Sequence, residues 1–81
     1  MDLERTKYMG HLAEKELVSK DLGLKISGLR DAIRNCLDPF EALEDLKLDT
    51  AAQLAVQAAE LQIAYREVIR EIAAIRKALG R

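Results

Sequence analysis

Tryptophan is absent from this 81-residue chain, and cysteine, proline and phenylalanine each occur once. Aromatic residues make up 4%, so the 49% hydrophobic fraction is nearly all Leu, Ile, Val and Ala. A β-sandwich of this length needs several turn clusters and many aromatic and β-branched residues, and both are missing. The single Cys36 excludes an internal disulfide and fits a reducing, cytoplasmic setting. Neither sign of charge prevails. Thirteen basic residues stand against fourteen acidic ones, which excludes a bulk polyelectrolyte as the main partner. No run approaches the roughly 20 apolar residues of a membrane span. The start, Met1-Asp2-Leu3-Glu4-Arg5, carries acid and base with no apolar stretch behind it, so neither a signal peptide nor a membrane partner is expected.

What is there is helix. With 33% charged residues and no low-complexity stretch, the composition is that of one small all-α domain over 1–81, near the size where a single core only just holds. Leu54, Ala58, Leu61, Tyr65, Val68, Ile72, Ile75 and Leu79 follow one another at 4-3-4-3-4-3-4, an unbroken heptad seam. The spacing predicts a helix over 51–79. Thr50, three residues before Gln53, offers a capping box at its start. Gly80 marks its end, with Arg76 and Lys77 in the last turn where cations suit the helix dipole.

Asp38-Pro39-Phe40-Glu41 has the order of an N-cap, a proline at the first helical position and a glutamate at the third. It predicts a short corner helix over 39–47, with Phe40, Leu43 and Leu46 on one face. Before it, Leu22, Ile26, Leu29, Ile33 and Cys36 repeat the 4-3-4-3 spacing in a helix expected over 2–36. Upstream of Leu22 this seam degrades: Tyr8 and Leu12 keep register, but Lys15 and Ser19 are polar. Gly10, Gly23 and Gly28 each cost about 1 kcal/mol against alanine in a helix, so a bend near Gly23 or Gly28 is expected. Helices of about 52 Å and about 44 Å match well enough to lie antiparallel. The expected fold is a long coiled-coil-like helical hairpin.

A hairpin buries one stripe per helix, and this chain has apolar surface beyond that. Ala52, Val56, Ala59 and Ile63 form a second stripe, read as about 60° round the helix from the first. No charge falls between Thr50 and Ala59. The alanines Ala51, Ala52, Ala55, Ala58 and Ala59 would let another helix approach closely, and Leu17 and Leu24 also fall off the seam. A helix apolar on two sides is normally buried on two sides. The expectation is a homodimer in which two hairpins pair into a four-helix bundle, Ala52, Val56, Ala59 and Ile63 forming the self-association stripe. The alternative is cover from within one chain, by a bent first helix and the corner helix, and an unidentified protein is the other partner such a stripe could take.

Val18-Ser-Lys-Asp-Leu-Gly-Leu-Lys-Ile-Ser-Gly-Leu-Arg-Asp-Ala-Ile-Arg34 resembles the helix-turn-helix of phage-repressor-like DNA-binding proteins. Ser19 stands four before the turn glycine Gly23, Leu22 and Leu24 flank that glycine, and Leu29 follows six residues on. The resemblance spans under a quarter of the chain and implies a small DNA-binding regulator over 16–35, contacting DNA through Lys25, Arg30 and Arg34. Three features depart from it. Ile26 would face the bases, where a polar side chain belongs, only residues 2–15 remain for a supporting helix, and Asp31 stands among the basic residues of the recognition segment. With a net charge of −1, nucleic acid is not the expected partner.

No catalytic, cofactor or metal site emerges. Asp38, Glu41, Glu44, Asp45 and Asp49 give the corner a net −4 with Lys47, but lack the alternating acids and turn glycine of a calcium loop. His11 and Glu14, at i and i+3, have no further histidine to complete a metal site. Cys36 is a small seam residue rather than a nucleophile, being far in sequence from the only histidine. Neither a glycine-rich phosphate loop nor a nucleophile elbow is present. The chain reads as a non-catalytic oligomerisation or protein-interaction module, with the DNA-binding regulator as the alternative.

Overall fold

A computed structural model describes residues 3–81. They form two long α-helices, α1 (Leu3–Cys36) and α2 (Leu48–Ala78), joined by a corner that contains one short 3-10 turn, Leu43–Asp45. The expected start of the first helix at residue 2 lies outside the described residues. The helices fold back on each other as a hairpin of 65 × 16 × 15 Å, with a radius of gyration of 18.3 Å. A compact chain of this length would have a radius near 12 Å. The molecule is a rod.

The heptad seam is what holds it. All eight seam residues from Leu54 in α2 through Leu79 at its C-cap are buried or half-buried. On α1 the seam is longer than its apolar residues suggest. Leu12, Lys15, Ser19, Leu22, Ile26, Leu29, Ile33 and Cys36 follow at 3-4-3-4-3-4-3, and all eight are buried or half-buried. Lys15 and Ser19 therefore keep the register they were expected to break. Each is accommodated by a polar partner: the Lys15 ammonium meets Glu71 at 2.6 Å, and Ser19 Oγ donates to the Glu16 carbonyl at 2.9 Å. The tightest packing is at the open end, where Leu12, Ile72 and Leu79 are buried together with Val68 and Ile75 against them.

α1 runs without interruption through Gly10, Gly23 and Gly28, because the i→i−4 ladder and the seam either side outweigh about 1 kcal/mol per glycine. The turn that a helix-turn-helix requires at Gly23 is not formed. At the far end, α2 closes as its sequence indicates. Gly80 takes φ +77°, the left-handed position that costs glycine least. Its amide donates to the Lys77 carbonyl at 3.1 Å and the Arg81 amide to the Arg76 carbonyl at 2.8 Å, the paired bonds of a Schellman cap.

The corner departs from expectation. No α-helix forms over 39–47. The Phe40 amide donates to Asp38 Oδ1 at 2.9 Å, and the Glu41 amide to the Asp38 carbonyl at 3.1 Å. That is a single turn with Pro39 at its second position, where a fixed φ near −65° fits. Ala42 then goes extended, at φ −63° and ψ 145°, and the chain passes through the 3-10 turn into α2. Phe40 and Leu43 share no buried face; they are 95% and 87% exposed. α2 also starts three residues earlier than expected, with Lys47 as its N-cap and no side-chain cap, so Thr50 lies inside the helix rather than capping it.

Candidate interaction surface

At 100° per residue, the seam of α2 between Leu54 and Tyr65 and the row Ala52–Val56–Ala59–Ile63 lie about 160° apart. The second stripe is thus on the back of α2, not about 60° from the first. Its apolar residues face solvent, with Val56 60% and Ile63 65% exposed and Ala52 and Ala59 exposed between them. Ala55 extends the patch on one flank. Ala51 and Ala58 do not belong to it, since Ala51 is buried in the hairpin seam and Ala58 is half-buried. On α1, Leu17 and Leu24 form a second exposed apolar row, directed away from α2.

The surface is bounded by charge. One step towards the corner along the row is Asp49, and one step beyond Ile63 is Arg66. Both are exposed, and neither forms an ion pair within the described residues. The cross-helix ion pairs lie elsewhere, at the open end: Lys15–Glu71 at 2.6 Å and Glu16–Arg76 at 3.3 Å. Glu71 lifts the Lys15 ammonium above its usual range, first through the hydrogen bond and then through charge attraction.

The other candidates are scattered along the rod. Lys25, Arg30 and Arg34 are exposed on α1, Lys25 paired with Asp21 at 3.0 Å and Arg30 bonded to Ser27 Oγ at 3.2 Å. Ile26, which would face bases in a helix-turn-helix, is half-buried in the hairpin seam. His11 is exposed at the open end and Cys36, a free thiol, is half-buried next to the corner. Among the described residues, no three His, Cys, Asp or Glu side chains are grouped to hold a metal ion, and no helix is long and apolar enough to cross a membrane. The concavity between the end of α1 and the corner is an open groove lined by Asp31, Arg34, Asn35, Leu37, Asp38 and Pro39. It brings the carboxylates of Asp31 and Asp38 and the guanidinium of Arg34 to one rim. Comparison with protein-family models, with curated proteins and with solved structures gives no match.

Proposed function

We propose that this chain is a non-catalytic helical module that works by self-association through the outer face of α2. The observation that carries the reading is the exposure of Val56 and Ile63, 60% and 65%, on a helix segment whose opposite side is already committed to the hairpin seam. Soluble chains rarely leave a contiguous apolar face uncovered without an interaction to cover it. The energetics point the same way. Among the described residues only Leu12, Ala51, Ile72 and Leu79 are buried, so one hairpin has little core of its own.

What supports this reading over DNA contact is the continuity of α1 through Gly23 and the half-buried position of Ile26. The test is Val56→Glu, which places a carboxylate in the middle of the face. Size-exclusion chromatography with light scattering should show a monomer that keeps its helical circular dichroism. A variant with the mass and stability of an associated wild type would overturn the proposal.

A further inference from the structure

Resting on that reading, we infer that the occupant of the α2 outer face is the α2 of a second copy, running antiparallel about a two-fold axis between Gln57 and Ala58. The row Asp49, Ala52, Val56, Ala59, Ile63, Arg66 is spaced 3-4-3-4-3 and is complementary to its own reverse. Antiparallel about that axis, Asp49 comes level with the second copy's Arg66, Ala52 with its Ile63, and Val56 with its Ala59. Each layer thus joins acid to base or small to large, the alternation that lets facing helices interdigitate. Run parallel in register, the same row would set Asp49 against Asp49 and Arg66 against Arg66. It would also set alanine against alanine, leaving gaps beside the Ile63 layer. The sequence of the row chooses the antiparallel orientation.

Charge and area agree with a second copy as the occupant. Asp49 and Arg66 are exposed and unpaired within the described residues, hence available. The neighbours of Arg66 on this side are Glu67 and Arg70, so the end that meets Asp49 carries a net positive charge. The chain exposes 6476 Å², whereas a compact monomer of this mass exposes about 4,900 Å². A standard interface covers about 800 Å² on each partner, within the excess of roughly 1,600 Å² that the rod leaves open. Because the axis lies nearer the corner than the open end, the two hairpins overlap over their corner halves. Both α2 helices come to the centre and both α1 helices outside, a flat array about 85–90 Å long instead of a closed bundle.

Two charge reversals test the orientation. Asp49→Arg alone and Arg66→Asp alone each set like charges at both ends of the dimer, and each should weaken association roughly ten- to thirtyfold at low salt. Mixed in equal amounts, the two variants restore both pairs, and association should return to within about threefold of wild type by sedimentation. The mixture also separates the interface from any loss of helix-dipole stabilisation at Asp49, because the same Asp49→Arg chain is present in both experiments. X-ray scattering of the wild-type dimer should give a maximum dimension near 85–90 Å against about 65 Å for the hairpin. A wild type that stays monomeric overturns both this inference and the proposed function. A wild type that associates, but whose single reversals change nothing or whose mixture does not recover, overturns the orientation and leaves association standing.

Discussion

Lys15 Nζ lies 2.6 Å from Glu71 Oε2, joining a seam position of α1 to the flank of α2. The lysine stands where the heptad calls for an apolar side chain, one turn from the buried Leu12. With the side chains of both partners 39% exposed, the pair is screened by water and contributes little by itself. Lys15→Leu would fill the position with the residue the seam prefers, and should raise the melting temperature. A lower melting temperature would mean that the ion pair, not the seam, holds this end of the hairpin.

The same pair sets a pH dependence. Glu71 raises the folded pKa of Lys15 above 10.5, so the stabilisation is fully present below 10.5 and is lost as pH rises through the folded value. Glu71→Gln should flatten that alkaline fall. Melting curves of wild type and Glu71→Gln that decline in parallel above pH 10.5 would contradict it.

Much of this hairpin is legible in the sequence, and the exceptions have physical causes. The α2 seam could be read because eight apolar residues repeat without a gap, and its end because Gly80 alone can take the left-handed cap cheaply. The α1 seam is legible only from Leu22 onward, since Lys15, partnered by Glu71 on α2, and Ser19, bonded to the Glu16 carbonyl of its own helix, look from their spacing like a break. Asp38-Pro39-Phe40-Glu41 misleads for a different reason. An aspartate bonding the amide two residues on, followed by proline, begins a turn and a helix equally well, and the segment after it is too short to propagate. The outer stripe is legible in its spacing, and at 100° per residue the same positions place it behind α2. What covers it was not legible, because a partner leaves no pattern in the chain beyond the complementarity of the face itself.

At the corner, Asp38→Ala removes the acceptor of the Phe40 amide and should cost about 1 kcal/mol. Pro39→Ala should be nearly neutral, losing at most about 0.4–1 kcal/mol of unfolded-state restriction. Chemical denaturation checks both. A large gain in stability for Pro39→Ala would mean that proline interrupts a helix there, and would contradict the turn.

Glycines inside α1 provide a second stability test. A Cβ built on Gly23 or Gly28 meets no atom within 4 Å, so alanine fits without rearrangement. Gly23→Ala and Gly28→Ala should each stabilise by about 1 kcal/mol, measured by urea denaturation. A loss in either would show that α1 bends or opens at that glycine, as a helix-turn-helix would require.

Ile26 and the arginines beside it separate seam from DNA contact. Ile26 is half-buried and Arg30 and Arg34 are exposed. Ile26→Ala should cost about 1–2 kcal/mol, less than truncation of a fully buried isoleucine because the side chain is half-exposed, while Arg30→Ala and Arg34→Ala should stay under about 0.5 kcal/mol. Sub-micromolar binding of wild type to duplex DNA at physiological salt, lost in Arg30→Ala, would reverse this assignment.

Self-association of the wild-type chain is the central claim, and sedimentation equilibrium across the micromolar range tests it most directly. The weight-average mass should rise with concentration from 9.1 kDa towards twice that value, and Val56→Glu should hold it at the monomer. A wild type that remains at 9.1 kDa up to high micromolar concentration would contradict it.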